Sequence, residues 1–405
     1  MKPIVRAGRM KPVHSDIRGP LFVEAMKRQK QGIDILKLNT GNPATFGFGL
    51  PDSIKNALME HMQDGVGYCD FKGMPQARQA ICDYETSKGI KGITPDDVFI
   101  GNGVSEVVSF ALTPLLNDGD EVLVPSPSYS LWGNSVYLED GKPVFYTCDE
   151  QANWYPDIQD IRSKITDKTK AIVIINPNNP TGVLYPKELL LEIIQIARES
   201  GLLIFADEIY DRLVMDGKQH ISLASLTEDV PVITLNGLSK SHCLCGYRCG
   251  WMVISGPREL TEDYRQGIIQ LTSLRLCANT MAQIVIPAAL DDMETPASMV
   301  RPGGRIYEQR EATVRELEKI DGLSFVKNDA AFYVFPKLDV KKFNITNDKQ
   351  FAHDLLDVTN ILLVPGSGFD WKDPDHFRIV MLPQADILSD AIHRMGTFLD
   401  GYKQK

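Results

Sequence analysis

The chain's 405 residues are 43% hydrophobic and 24% charged, with a formal net charge of −10. That length has room for one large domain and a smaller one, and the acidic balance argues against a general nucleic-acid binder, which needs a basic face. No apolar run approaches the roughly 20 residues of a membrane span. Residues 1–9 lack the apolar core of a secretory signal, and seven cysteines without a paired framework read as the reduced thiols of a cytoplasmic protein.

Residues 1–20 form an arm without clear period, closed by Asp16-Ile17-Arg18-Gly19-Pro20. Apolar spacing predicts a helix over 21–31 and a short strand over 35–38, followed by the breaker cluster Asn39-Thr40-Gly41-Asn42-Pro43. Asp52 is expected to cap a helix over 54–62, with a loop at 65–68 and a second helix over 75–88. From Val98 onward short apolar strands alternate with helical stretches, the signature of a parallel α/β sheet. Seven strands are expected, at 98–100, 121–124, 143–147, 171–175, 203–206, 232–235 and 250–254. Most are apolar throughout, as strands covered on both faces should be. Helices over 105–116 and 186–200 lie between them, the latter opened by Pro186 and followed by Gly201. Further on, helices are expected over 258–274, 278–290 and 303–319. Strands near 323–326, 331–335, 361–364 and 377–381 and helices near 348–358 and 386–400 complete an α+β pattern. The expected division is an arm (1–50) that joins a small domain, a large α/β domain (51–300) and a C-terminal small domain (301–405).

Polar residues cluster just after the strands, where open α/β sheets bind ligands. Lys240 lies between Ser239 and Ser241 in a loop bracketed by two apolar strands, with Arg248 following. Burial disfavours a lysine cation, and a neutral amine can form a Schiff base with an aldehyde; the plainer reading is a surface loop with two ordinary cations. Gly103-Val104-Ser105 opens a helix, where free N–H groups favour an anion such as a phosphate, or where Ser105 is a simple cap. Tyr129 offers a face to stack on a flat ring, or core packing. Asp207 ends a buried strand and needs a partner, a protonated pyridine nitrogen or a neighbouring arginine. Asn179 and Tyr210 are candidate donors to a phenolate oxygen, unless Asn179 is simply a turn residue ahead of Pro180. Arg378, inside an apolar strand, either pairs internally or grips a carboxylate with its fork. Cys243, Cys245 and Cys249 with His242 match no zinc spacing, so packing is the expected role and no metal is expected.

Together these features describe a site for pyridoxal phosphate, and the chain resembles the fold-type I, class I/II aminotransferases from about Asn39 to its C-terminus. The motifs that carry the resemblance are Asn179-Pro180-Thr181-Gly182, Asp207-Glu208-Ile209-Tyr210 and Ser239-Lys240 with Arg248. The resemblance implies that Lys240 bonds the cofactor aldehyde and shuttles the proton. It puts Asp207 on the pyridine nitrogen, Asn179 and Tyr210 on the ring oxygen, and Tyr129 on the ring face. Arg248, Ser105 and the amides of Gly103 and Val104 would hold the phosphate. Arg378 would bind the substrate α-carboxylate, with Gly41 and Asn179 lining the pocket. Tyr68 would reach the phosphate of a neighbouring subunit, which implies a homodimer with shared sites. Many relatives carry a phosphate-binding serine three residues before the lysine, where this chain has Gly237.

Within the family the likeness is greatest to bacterial glutamate–pyruvate (alanine) aminotransferases, carried by stretches such as Leu38–Pro43, Gly67-Tyr68-Cys69-Asp70, Leu274–Asn279 and Asp375–Val380. It implies ping-pong transamination between an amino acid and a 2-oxo acid. Arg18 is then the candidate contact for a second substrate carboxylate, unless it is an ordinary surface arginine or a cap. The alternatives are a C–S β-lyase on the same scaffold, an aminotransferase for aromatic or branched amino acids, and a non-catalytic effector-binding protein.

Overall fold

The computed structural model describes residues 2–405. Its centre is an eight-stranded sheet: β1 (Val98–Gly101), β2 (Glu121–Ser126), β3 (Lys142–Asp149), β4 (Tyr155–Pro156), β5 (Thr169–Ile175), β6 (Leu203–Asp207), β7 (Val232–Gly237) and β8 (Gly250–Ser255). The order is β1-β8-β7-β6-β5-β2-β3-β4. The run from β7 to β3 is parallel; β8 is antiparallel to both its neighbours and β4 to β3. Seven of these strands are the seven expected, each extended by a residue or more. The eighth, β4, has two residues, one of them proline, and carries no pattern that alternation could reveal.

The strands are apolar on both faces because both are covered. Leu123, Ile172, Ile174, Ile204 and Val232 enter one core, and Val122, Val124, Val173, Phe205 and Ile233 enter another on the opposite face. A third core joins Phe351, Leu355, Phe377, Ile379, Leu388 and Ile392 to Leu38 from the N-terminal side. The strand Leu36–Lys37 pairs in parallel with Ile361–Leu362, stitching the start of the chain to its last quarter. Phe377–Val380 lies between Tyr333–Val334 and Val364–Pro365 in an antiparallel sheet.

Most helices lie where their periodicity placed them, with three corrections. Asp52 does not cap its helix: it begins Asp52–His61, and Pro51 at the cap position makes no side-chain bond. The helix after β1 is Val104–Leu112, ending just before Thr113-Pro114 rather than running on to 116. The stretch 278–290 splits into Thr280–Ile284 and Ile286–Asp291, with Pro287 in the first turn of the second piece. No single helix is long and apolar enough to cross a membrane among the described residues.

Candidate active site

The carboxyl ends of β1, β5, β6 and β7 converge on a cavity of about 730 Å³. Lys240, Asp207, Tyr210, Asn179, Tyr129 and Arg378 all line it, and so do Gly41, Val104, Ser105, Ser239, Arg248 and Arg18. Residues that are far apart in sequence thus face one space.

Lys240 follows β7 in the single helical turn Leu238–Ser241. Its Nζ donates to the Gly41 carbonyl at 3.1 Å and makes no ion pair among the described residues. A Cβ on Gly41 would lie 2.9 Å from Phe332 and also touch the Tyr333 hydroxyl, so only glycine brings that carbonyl this close.

Asp207 is the last residue of β6, buried at 5% exposure. Its Oδ2 accepts from the Trp132 indole N–H at 3.1 Å, and Oδ1 accepts a longer bond from the Ile209 amide at 3.4 Å. No cation of the chain lies within ion-pair reach among the described residues. Burial pushes its carboxyl up to about 6, partly offset by the Trp132 hydrogen bond.

The Asp207-Glu208-Ile209-Tyr210 segment is held from behind. Glu208 and Asp211 turn away from the cavity and share the Lys88 ammonium at 2.7 and 3.1 Å, together with Glu85 at 2.8 Å. Tyr84 and Asn236 also donate to Asp211, at 2.6 and 2.7 Å. Glu208, Asp211 and His220 could by spacing hold a metal ion, but the Lys88 ammonium already sits among these carboxylates.

At the other end of the cavity the helix Val104–Leu112 starts behind Gly103, whose φ of +83° suits glycine. A Cβ there would run into the Arg248 guanidinium, so the cation rests on the helix N-terminus. The only acceptor of Arg248 among the described residues is the Cys245 carbonyl at 2.9 Å. A cation against the positive end of a helix dipole, without a carboxylate, is a receptor for an anion. Gly237 explains the missing serine: its Cβ position lies 2.5 Å from the Cys249 carbonyl oxygen and 3.0 Å from the Gly250 Cα, so β7 and β8 are too close for a side chain. Ser105 and Ser239 remain as hydroxyl donors on the cavity wall.

Arg378 is 1% exposed and has no carboxylate partner among the described residues. Its guanidinium donates to Asn179 Oδ1 at 3.0 Å and to the Asn39 carbonyl, lies over the rings of Tyr333 and Phe369, and keeps Nε unpartnered. A buried guanidinium with only neutral acceptors is short of an anion. Because Asn179 gives its oxygen to Arg378, its amide nitrogen is left for another acceptor.

Tyr68 stands apart. It is 84% exposed, in a separate depression with Gly65–Gly67 and Cys277–Thr280. The cysteines have separate neighbours: Cys245 donates to Asn42, Cys243 packs near Met299, and Cys249 is buried in the core. Two site residues escaped the sequence reading. Trp132 lies one helical turn beyond Tyr129, a spacing that could have flagged it. Tyr333, whose hydroxyl lies 2.9 Å from that of Tyr210, looks like a core residue of an apolar strand.

The family profile described as aminotransferase class I and II matches residues 33–392. The glutamate-pyruvate aminotransferase AlaA of Haemophilus influenzae is 50% identical over 404 residues, all of both chains. The crystal structure of an aminotransferase from Escherichia coli superposes with a TM-score of 0.98 at 47% identity, again over all of both chains. The alanine aminotransferase structure from Pyrococcus furiosus gives 0.93 at 41% identity, over 98% of this chain and 100% of its own. The chain belongs to the class I and II aminotransferase family.

Proposed function

We propose that the chain binds pyridoxal phosphate in this cavity and transfers the amino group of L-alanine to 2-oxoglutarate, giving pyruvate and L-glutamate in two half-reactions. One observation carries the reading: a single cavity gathers a lysine amine, a buried carboxylate without a cation and two guanidiniums without carboxylates. Such a set is held at a cost that a ligand of complementary charge relieves.

The cofactor fits those unmet needs. Arg248, Ser105, Ser239 and the amides of Gly103 and Val104 would hold its phosphate, and Asp207 its ring nitrogen. Asn179 and Tyr210 would donate to its ring oxygen, and Tyr129 would cover one face. When bound, it supplies an aldehyde that takes the amino group and a ring that accepts the electrons released at Cα. Lys240 would bond the cofactor's aldehyde and, when free, its Nζ would be the base that holds the substrate's Cα proton. Asp207 would supply the counter-charge that favours a protonated ring nitrogen. Arg378 holds the substrate α-carboxylate in its fork, which aims the Cα proton at Lys240.

The alanine–glutamate pairing draws on the relatives named glutamate-pyruvate and alanine aminotransferase. It also draws on Arg18, an exposed cation on the cavity wall with no ion pair among the described residues, free to meet the distal carboxylate of glutamate. The two-domain division and the homodimer are further parts of the proposal. Exposed Val66, Tyr68, Leu274 and Leu276 give the second copy an apolar surface, with Tyr68 reaching the partner's phosphate. Lys240→Ala should abolish both half-reactions and the visible absorbance of lysine-linked cofactor; retained turnover would overturn the assignment.

A further inference from the structure

The end of the N-terminal arm, through Ser15, Ile17 and Arg18, runs along the cavity wall, and His14 is its fixing point. The His14 amide donates to Asn134 Oδ1 at 3.1 Å, and Asn134 Nδ2 donates back to the His14 carbonyl at 2.6 Å, tying the arm to the helix Leu131–Leu138. The imidazole lies between two carboxylates: Nε2 is 3.1 Å from Asp370, and Nδ1 is 3.6 Å from Asp16. Asp370 follows the turn Gly366–Phe369, so one side chain joins the arm to a segment more than 350 residues away. That turn packs on the arm, since a Cβ at Gly368 would lie 2.8 Å from the Asp16 Cβ. The next residues, Ser15, Ile17 and Arg18, line the cavity, and the Ile17 carbonyl is caught by Asn39 at 2.8 Å.

We propose that His14 is a positioning residue for substrate choice: as a cation clasped between Asp16 and Asp370, it holds the Ser15–Arg18 strap so that Arg18 meets the distal carboxylate of an acidic substrate. This rests on the reading of Arg18 given above. No other cation of the arm spans Asp16 and Asp370 among the described residues. Arg9 pairs with Asp140 at the surface, well ahead of the strap, and Lys349 reaches Asp16 at 3.2 Å without touching Asp370. The two carboxylates raise the His14 pKa to about 9, Asp16 contributing most, against partial burial. The other charged or titratable groups close by are Lys349, on the far side of Asp16, and Tyr137, whose phenol feels Asp370. The folded pKa lies above the ordinary histidine value, so the clasp is complete below pH ~6.5 and is lost as pH rises through about 9.

The test is hydrogen exchange by mass spectrometry on the holoenzyme at one neutral pH, with steady-state kinetics for both amino acids. His14→Ala and Asp370→Asn break the clasp from opposite sides, and His14→Gln keeps a hydrogen bond without the charge. Exchange of the 14–19 stretch, where the His14 and Gly19 amides are hydrogen-bonded, should quicken about tenfold in His14→Ala, the scale of two part-exposed ion pairs, and about threefold in Asp370→Asn, which removes one of them. The KM for glutamate should rise about as much, while kcat/KM for alanine changes less than about twofold, and the glutamate KM should rise progressively in wild type above pH ~8.5. Unchanged exchange in both variants, or alanine and glutamate KM rising together, would overturn the clasp. Arg18→Ala separates the two ideas. If it leaves glutamate kinetics intact, the acid contact fails, whereas unchanged arm exchange in the His14 variants refutes the clasp alone.

Discussion

Asp207→Asn should stabilise the cofactor-free protein while disabling the holoenzyme. In the folded chain the carboxylate is buried, with one good hydrogen bond from Trp132 and no cation partner among the described residues. Its pKa rises from 3.8 to about 6. Between those values the folded chain binds more protons than the unfolded chain, so stability falls as pH rises through that window and stays lower above it. At 1.36 kcal/mol per pH unit the ionised carboxylate costs the apo fold up to about 3 kcal/mol. Asparagine has the same shape, can accept from Trp132 and carries no charge. Urea unfolding of apo protein at matched concentration should therefore show Asp207→Asn more stable than wild type by up to about 3 kcal/mol at pH 8, and by about half that at pH 5. With pyridoxal phosphate bound the sign should reverse, because the variant no longer supplies the counter-charge for a protonated ring nitrogen. A variant less stable than wild type at pH 8 without cofactor, or a gap equal at both pH values, would refute the argument that this carboxylate is held in deficit for a cationic ligand.

Other substitutions probe the supports of the site. Lys88→Met leaves Glu85, Glu208 and Asp211 buried without their ammonium. Denaturant titration should show a loss of about 3–5 kcal/mol near neutral pH, partly recovered in acid as the carboxylates take up protons. Arg378→Lys keeps the charge but loses the fork, so kcat/KM for every amino acid should fall about 100-fold, seen in single-turnover assays. Arg18→Ala should lower kcat/KM for glutamate about tenfold and leave alanine nearly unchanged, as removal of one exposed charge-assisted contact predicts. Gly41→Ala should weaken cofactor retention measured by dialysis, since its Cβ collides with Phe332 and Tyr333 beneath the carbonyl that Lys240 uses.

The sheet was readable because its strands are buried on both faces, which forces long apolar runs such as Ala171–Ile175, and because polar residues follow them. The parallel strands beneath Asp207 and Lys240 followed from that pattern, whereas β4, two residues long, left none. Helix ends were less legible: Asp52 is a favoured capping residue, yet Pro51 took the cap position and moved the start. Trp132 and Tyr333 were missed because aromatic side chains in apolar elements look like core; only the fold turns the Trp132 indole N–H onto Asp207. The glycine in place of a serine at 237 was visible in sequence, but its cause, the approach of Cys249 and Gly250, is a tertiary fact. Tyr68 lies outside the cavity of its own chain, in a separate depression.

The most direct test of the function is a half-reaction screen. Purified cofactor-loaded protein is mixed with one amino acid at a time, and loss of the visible absorbance is followed. Rapid bleaching by alanine and by glutamate, reversed by pyruvate and by 2-oxoglutarate, is the predicted result. Bleaching by aromatic or branched amino acids with alanine inert would contradict the substrate assignment, and pyruvate formed from cystathionine without any oxo-acid acceptor would contradict transamination itself.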